Sequence, residues 1–332
     1  MKALRSHAVG GPETLTLDEV EVPTPGKGEV LVAVKACAIN FPDTLIIRDL
    51  YQFKPPRPFA PGGEIAGVIE ALGEGAQGFK VGDRVMAGLG NGGLAEKLVV
   101  PTGRMFLVPD GVPFEKAASL LMTYGTTIHG LKDRGHIKPG DCVLVLGAAG
   151  GVGLAAVELA KAFGARVVAA VSSEEKGEVA RRAGADEVVI YPKGEMNKDA
   201  SKDLANMFKA ACGPEGANIV YDIVGGQYSE PALRAIAWEG RFLVVGFPAG
   251  IAKIPLNLTL LKSCDICGVF WGAFTMREPV KFREQVEELF ALMKQGKIDP
   301  LISETFPLER GGEAIARLES RQAVGKLVVT MG

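Results

Sequence analysis

Val143-Leu-Val-Leu-Gly-Ala-Ala-Gly-Gly-Val-Gly153 is the stretch that decides the fold. An apolar run ends in glycines at positions 147, 150, 151 and 153, and a helical pattern follows over 152–163. A dinucleotide pyrophosphate needs such an arrangement. The turn must be tight, the backbone must approach the phosphates, and the helix start must offer unpaired N–H groups at a positive dipole end. Ala148 stands where the usual three-glycine pattern has its first glycine, so the bare pattern fails. Its placement carries the reading: a buried strand before it, a helix after it, and a series of strands and helices downstream. The alternative is a glycine-rich turn that only packs helix on strand.

The end of the next strand selects the nucleotide. A ribose with a free 2′-OH is usually gripped by Asp or Glu about 20 residues further on. Here Val171-Ser-Ser-Glu-Glu-Lys176 puts Ser172 at that position and Lys176 one helical turn later. A hydroxyl and an ammonium suit a 2′-phosphate, which a carboxylate at 172 would repel. Ser172 can equally be a helix N-cap with Lys176 merely solvated. The two readings are compatible, since a capped helix start also binds anions. Glu174 and Glu175 oppose the phosphate reading. NADPH is expected over NADH.

Working outward, strands at 166–171, 187–190, 219–222, 242–245 and 266–270 alternate with helices at 174–183, near 200–211 and at 229–237. That rhythm predicts a parallel sheet covered by helices on both faces. Before about residue 115 the chain reads as β-rich. Strand-like runs at 29–36, 64–71 and 96–100 are separated by turn signals such as Pro23-Thr-Pro-Gly26, Pro61-Gly-Gly63 and Gly82-Asp83. The tail holds helices at 280–294 and 311–319 and a closing strand at 326–330.

Composition sets outer bounds. The 332 residues are 47% apolar and 23% charged, which supports about two domains with their own cores and excludes disorder as the main state. Its 37 basic and 39 acidic residues are well mixed, so no footprint for nucleic acid is present. The longest uncharged stretch, 142–157, falls short of the roughly 18 apolar residues of a membrane span. No apolar signal core is read over 1–11. Five cysteines, scattered at 37, 142, 212, 264 and 267, fit a reduced cytoplasmic protein better than a disulfide scaffold.

Several segments together resemble one family. They are the run from Gly140 through the glycine turn to Lys161, Asn40-Phe-Pro-Asp43 followed by Tyr51, Pro61-Gly-Gly-Glu-Ile-Ala-Gly67 and Val81-Gly-Asp-Arg-Val85. Tyr221-Asp222, Gly225-Gly226, Phe270-Trp-Gly272 and Gly325-Lys326 complete the set. The chain resembles the zinc-independent quinone oxidoreductases of the medium-chain dehydrogenase/reductase superfamily, relatives of zeta-crystallin. Glu158 departs from the usual glutamine, and Asp49 from a common glycine. The resemblance implies an α/β protein. A GroES-like, β-rich substrate and catalytic domain would comprise 1–123 and 273–332. A Rossmann-type doubly wound parallel sheet over 124–272 would bind NADPH. It further implies Ser172, Lys176 and Tyr191 around the 2′-phosphate and Gly150, Gly151, Val152 and Gly153 on the pyrophosphate. Thr126 and the backbone near Gly246, Phe247 and Trp271 would hold the nicotinamide end. Such proteins commonly join their sheets, and the apolar strand at 266–270, expected at a sheet edge, predicts a homodimer.

No metal is expected. Zinc-dependent relatives carry a catalytic cysteine where this chain has Asn40 and a histidine where it has Gly63, and neither substitute is a usual zinc ligand. Their four-cysteine lobe has no counterpart here. Cys264 and Cys267 form a lone CxxC and read as buried thiols. His7, His129 and His136 show no ligand spacing.

Without a Lewis acid, alcohol oxidation is disfavoured. Metal-free hydride transfer suits acceptors that are already electrophilic: quinones first, then α,β-unsaturated carbonyl or carboxylate compounds, acrylate-like ones included. The protein then contributes positioning, exclusion of water and hydrogen bonds to the growing negative charge. Asn40 and Tyr51 are the candidate donors, and Asp43 is expected to orient its neighbours. Phe41, Tyr51 and Trp271 can supply flat walls, although Phe41 and Trp271 can equally be core residues. For Tyr51, proton donor and wall both stay open. A third reading, from a different class, is a non-catalytic NADPH-binding protein.

Overall fold

Strand Glu29–Ile39 organises the first half of the chain. Its three valines and two of its three alanines, Ala36 and Ala38, are buried, and three strands pair with it antiparallel: Glu64–Leu72, Lys97–Pro101 and Lys326–Thr330. The seven-stranded sheet continues through Arg84–Gly88 to Met105–Leu107 on one side and ends with Ile302–Pro307 on the other. Gly67 is required at the Glu64–Leu72 pairing, since a Cβ there would lie 2.1 Å from the Ala33 carbonyl oxygen. The computed structural model describes all 332 residues. They divide into one unit of Met1–Met122 with Pro300–Gly332 and a second of Thr123–Asp299.

The second unit is a six-stranded parallel sheet. Its spatial order is Glu187–Ile190, Arg166–Val171, Cys142–Leu146, Ala217–Asp222, Ile236–Val244 and Asp265–Gly268. Numbered along the chain, that is the doubly wound order 3-2-1-4-5-6, whose direction reverses beside Cys142–Leu146. All five residues of that strand are buried, as a strand covered by helices on both faces requires. Helix Gly151–Ala162 follows it directly.

The return to the first unit comes later than the sequence reading placed it, at Pro300 rather than residue 273. Helices Trp271–Arg277 and Pro279–Lys294 pack on the second unit. Phe274 stacks on His129 with centroids 4.0 Å apart. Asp133 receives Gln285 Nε2 at 2.8 Å and Lys281 Nζ at 2.8 Å. The last sheet strand is also shorter than the expected 266–270, because Phe270 already leads into the helix at Trp271.

Candidate active site

The coenzyme end of the second unit is built by backbone. Gly147 turns the chain with φ +73°. A Cβ on Gly153 would lie 2.2 Å from the Gly147 carbonyl oxygen and 2.8 Å from Ala148, so only glycine lets the helix meet the strand. Helix Gly151–Ala162 has Gly150 as N-cap and no side-chain cap. Gly151, Val152 and Gly153 occupy its first turn, where N–H groups have no intrahelical partner. An anion fits this cradle on the donor set alone.

The neighbouring strand end corrects one detail. Ser173, not Ser172, is the N-cap of helix Glu174–Arg182, accepting from the Lys176 N–H at 3.4 Å. Ser172 makes no side-chain hydrogen bond, so its hydroxyl is not committed to the cap. Tyr191 stands beside it, its N–H donating to the Val171 carbonyl at 2.9 Å and its ring against Tyr228 at 4.8 Å. Burial holds the Lys176 ammonium below its usual range, and the charge of Lys193 adds to this. Lys193 escaped the sequence reading, although it follows Tyr191-Pro192 at the end of the adjoining strand.

Around the expected nicotinamide end, Thr126 opens the short helix Thr126–Ile128. Gly246 donates its N–H to the Asp222 carbonyl at 3.2 Å. Phe247 is 51% exposed, whereas Trp271 is 9% exposed, edge-on to Phe282. The departure at Glu158 has a local reason: its carboxylate accepts from the Tyr124 hydroxyl at 2.7 Å and from the Asp299 N–H at 3.0 Å.

In the first unit, strand register assembles a buried polar cluster. Ile39 pairs with Leu327 and Cys37 with Ile65, so the last residues of Glu29–Ile39 sit beside the starts of two antiparallel neighbours. Asn40, Glu64 and Lys326 thereby meet, at 6%, 1% and 4% exposure. Lys326 Nζ donates to Asn40 Oδ1 at 2.6 Å and lies 3.6 Å from Glu64 Oε2. Asn40 Nδ2 donates to Glu64 Oε2 at 3.0 Å and to the Ala38 carbonyl at 3.2 Å. Glu64 Oε1 takes the Met122 N–H at 2.8 Å. Asp43 accepts the Asn40 N–H at 2.8 Å and the Gly62 N–H at 3.0 Å.

The Asn40 amide is therefore spoken for on both sides, not left open as the sequence reading had it. Glu64 and Lys326 were read only as parts of motifs, and their pairing was not foreseen. Tyr51 is half-buried against the same core, and its hydroxyl makes no hydrogen bond within the protein. Burial raises its pKa, and the charge of Asp43 adds to the effect. Phe41 is 38% exposed, which argues against the core reading for that ring.

Burial also raises the Asp43 carboxyl to about 6, against the pull of the two N–H groups and Lys326. An unfolded aspartate titrates near about 3.9. The folded state thus keeps a proton that the unfolded chain releases between those values. The stability this group contributes is complete below about pH 4 and is lost as pH rises through about 6. Asp43→Asn should remove that dependence. Urea titrations of both proteins should show wild type losing about 2–3 kcal/mol relative to the variant between those limits. Parallel curves would refute it.

No group of three or more His, Cys, Asp or Glu side chains is arranged to hold a metal ion. No helix is long and apolar enough to cross a membrane.

Comparison with known proteins places the two units in known domain families. Residues 26–110 match the alcohol dehydrogenase GroES-like domain, and residues 151–295 match a domain described as zinc-binding dehydrogenase. A quinone oxidoreductase-like protein 2 homolog from Nematostella vectensis is 37% identical over 99% of this chain and 88% of its own. The structure of mycobacterial Rv1454c complexed with NADPH is similar at TM-score 0.91 and 32% identity, covering 99% of this chain and all of that one. Escherichia coli quinone oxidoreductase complexed with NADPH is similar at TM-score 0.90 and 29% identity, with the same coverage. With its GroES-like and Rossmann-type units, the chain belongs to the quinone oxidoreductase family of the medium-chain dehydrogenase/reductase superfamily, and it is an oxidoreductase.

Proposed function

We propose that the chain is a metal-free, NADPH-dependent reductase of electrophilic small molecules, with a quinone as the first-ranked acceptor. The observation that carries this is the strand end itself, where Ser172 stands in place of a carboxylate with its hydroxyl uncommitted and the neighbouring Lys176 and Lys193 ammonium groups lie close enough to feel each other's charge, although Glu175 also faces Lys193. NADPH in the two similar structures supports the cofactor. In this reading Ser172, Lys176, Tyr191 and Lys193 bind the 2′-phosphate, and the first-turn amides of Gly151, Val152 and Gly153 bind the pyrophosphate behind Gly150. Thr126, Gly246, Phe247 and Trp271 wall the nicotinamide end. When bound, NADPH supplies the hydride. Competitive titration of NADPH against NADH tests the reading, and equal affinities would overturn it.

On the acceptor side, Asn40 is oriented by Lys326 and Glu64. The proton it gives to the Ala38 carbonyl, in the longer of its two bonds, is the one available to an oxygen gaining charge. Asp43 holds the Asn40 backbone, and Tyr51 offers its ring as a wall or its free hydroxyl as a donor.

Asn40 and Gly63 stand where the zinc-dependent relatives place ligands, which supports chemistry without zinc. Activity should survive prolonged treatment with EDTA, and zinc that restores lost activity would contradict this. The chain is also proposed to form a homodimer, in a reducing, cytoplasm-like compartment that suits five unpaired thiols. Asp265–Gly268 is the terminal strand of its sheet, and Ile266, Phe270, Leu260 and Leu261 beside it are exposed by 38%, 60%, 80% and 63%. An exposed apolar edge favours pairing with a second copy. Light scattering should return twice the chain mass; a monomer at all concentrations would overturn the dimer.

A further inference from the structure

We propose that Cys142 and Cys212 form a peroxide-sensitive thiol pair that closes to a disulfide across the coenzyme unit. Cys142 is the first residue of the central strand, at the end of the sheet opposite the glycine turn. Cys212 is the last residue of helix Lys198–Cys212 and packs in the same core. Arg166, which pairs with Cys142 in the sheet register, ties the two together. Its Nη1 donates to Cys142 Sγ at 3.6 Å and to the Cys212 carbonyl at 3.5 Å, and its Nη2 donates to the Ala211 carbonyl at 2.7 Å. Arg166 thus holds the Cys142 sulfur against the C-terminal end of helix Lys198–Cys212, beside Cys212. The other charges facing the pair are Asp186 and Glu187, the latter 3.9 Å from Arg166.

This arrangement assigns roles. The neighbouring Cys212 thiol and the Arg166 guanidinium favour the thiolate at Cys142 and lower its pKa, while that of Cys212 is raised, so Cys212 stays a thiol. A thiolate beside a cation with a resolving thiol in contact is the environment that peroxide-sensing cysteines need. Cys142 and Cys212 are 8% and 7% exposed, enough for a small oxidant only. The Cys142 thiolate attacks one oxygen of a hydroperoxide. An S–O bond forms, the O–O bond breaks, and the alcohol leaves with a proton, giving a sulfenic acid. The Cys212 thiol then attacks that sulfur. The S–S bond forms, the S–O bond breaks, and the hydroxyl leaves as water with the Cys212 proton. Two thiols are oxidised and one peroxide is reduced. Gly213, with φ +86°, follows Cys212 as the helix C-cap, so Cys212 sits at the end of its helix and not within it.

The test uses the intact chain, hydrogen peroxide in slight excess, alkylation of the remaining thiols and peptide mapping without reductant. Two of the five thiols should be lost, in one cross-linked peptide pair joining Cys142 to Cys212, two hydrogens lighter than its reduced parts and restored by dithiothreitol. In Cys212→Ser, a dimedone adduct should collect at Cys142 with no cross-link. A wild-type map showing all five thiols intact, or a bond between Cys264 and Cys267 instead, would overturn the proposal.

Discussion

Lys326→Met should cost the fold about 3–5 kcal/mol, because it leaves buried anions without their cation. Methionine keeps an unbranched apolar side chain one atom shorter than lysine and removes the ammonium with its charge and donors. Asn40 Oδ1 loses its 2.6 Å donor, and Glu64 Oε2 keeps only the Asn40 amide. Burial already raises the Glu64 and Asp43 carboxyls, with Lys326 opposing the rise in both. Without the lysine both should bind protons more readily. The deficit should therefore be largest near about pH 8, where both must ionise, and smaller near about pH 5, where protonation neutralises them. Urea unfolding at the two pH values reads it directly. A variant within about 0.5 kcal/mol of wild type, as at an ordinary surface site, would show that the cluster carries no such coupling.

Lys176→Ala should raise the dissociation constant for NADPH roughly tenfold to a hundredfold and leave that for NADH nearly unchanged. Charge-assisted hydrogen bonds of this kind contribute roughly 1.5–3 kcal/mol. Lys193 keeps part of the attraction, so the single variant should fall at the lower end and the Lys176→Ala, Lys193→Ala pair beyond it. Fluorescence titration with both nucleotides measures this. Equal losses for NADPH and NADH would mean that Lys176 supports the helix and not the phosphate.

The coenzyme unit was legible because its signals are local. An apolar run, a glycine turn and a helix fit within a few turns of chain, and Gly153 carries its packing reason in its own missing side chain. The polar cluster was not legible because its members are far apart in sequence. Lys326 and Glu64 lie on separate strands, each shows in the sequence only as part of a motif, and only their common register against Glu29–Ile39 puts them beside Asn40. The return point near residue 273 failed for a related reason. Helix Pro279–Lys294 has an ordinary amphipathic pattern, and the pattern does not say which core its apolar face joins. Contacts such as Gln285 on Asp133 decide that.

The most direct test of hydride delivery without a metal is NADPH oxidation, followed by nicotinamide absorbance in EDTA-treated protein. Quinones, enones and unsaturated acids are offered in turn, with NADPH and then NADH. The expected result is rapid oxidation of NADPH by a quinone, slower oxidation of NADH, and slower turnover with the other acceptors. Oxidation only with an enone or unsaturated acid would move the substrate to the enoyl class. NADPH that binds and is oxidised by none of them would contradict a reductase function.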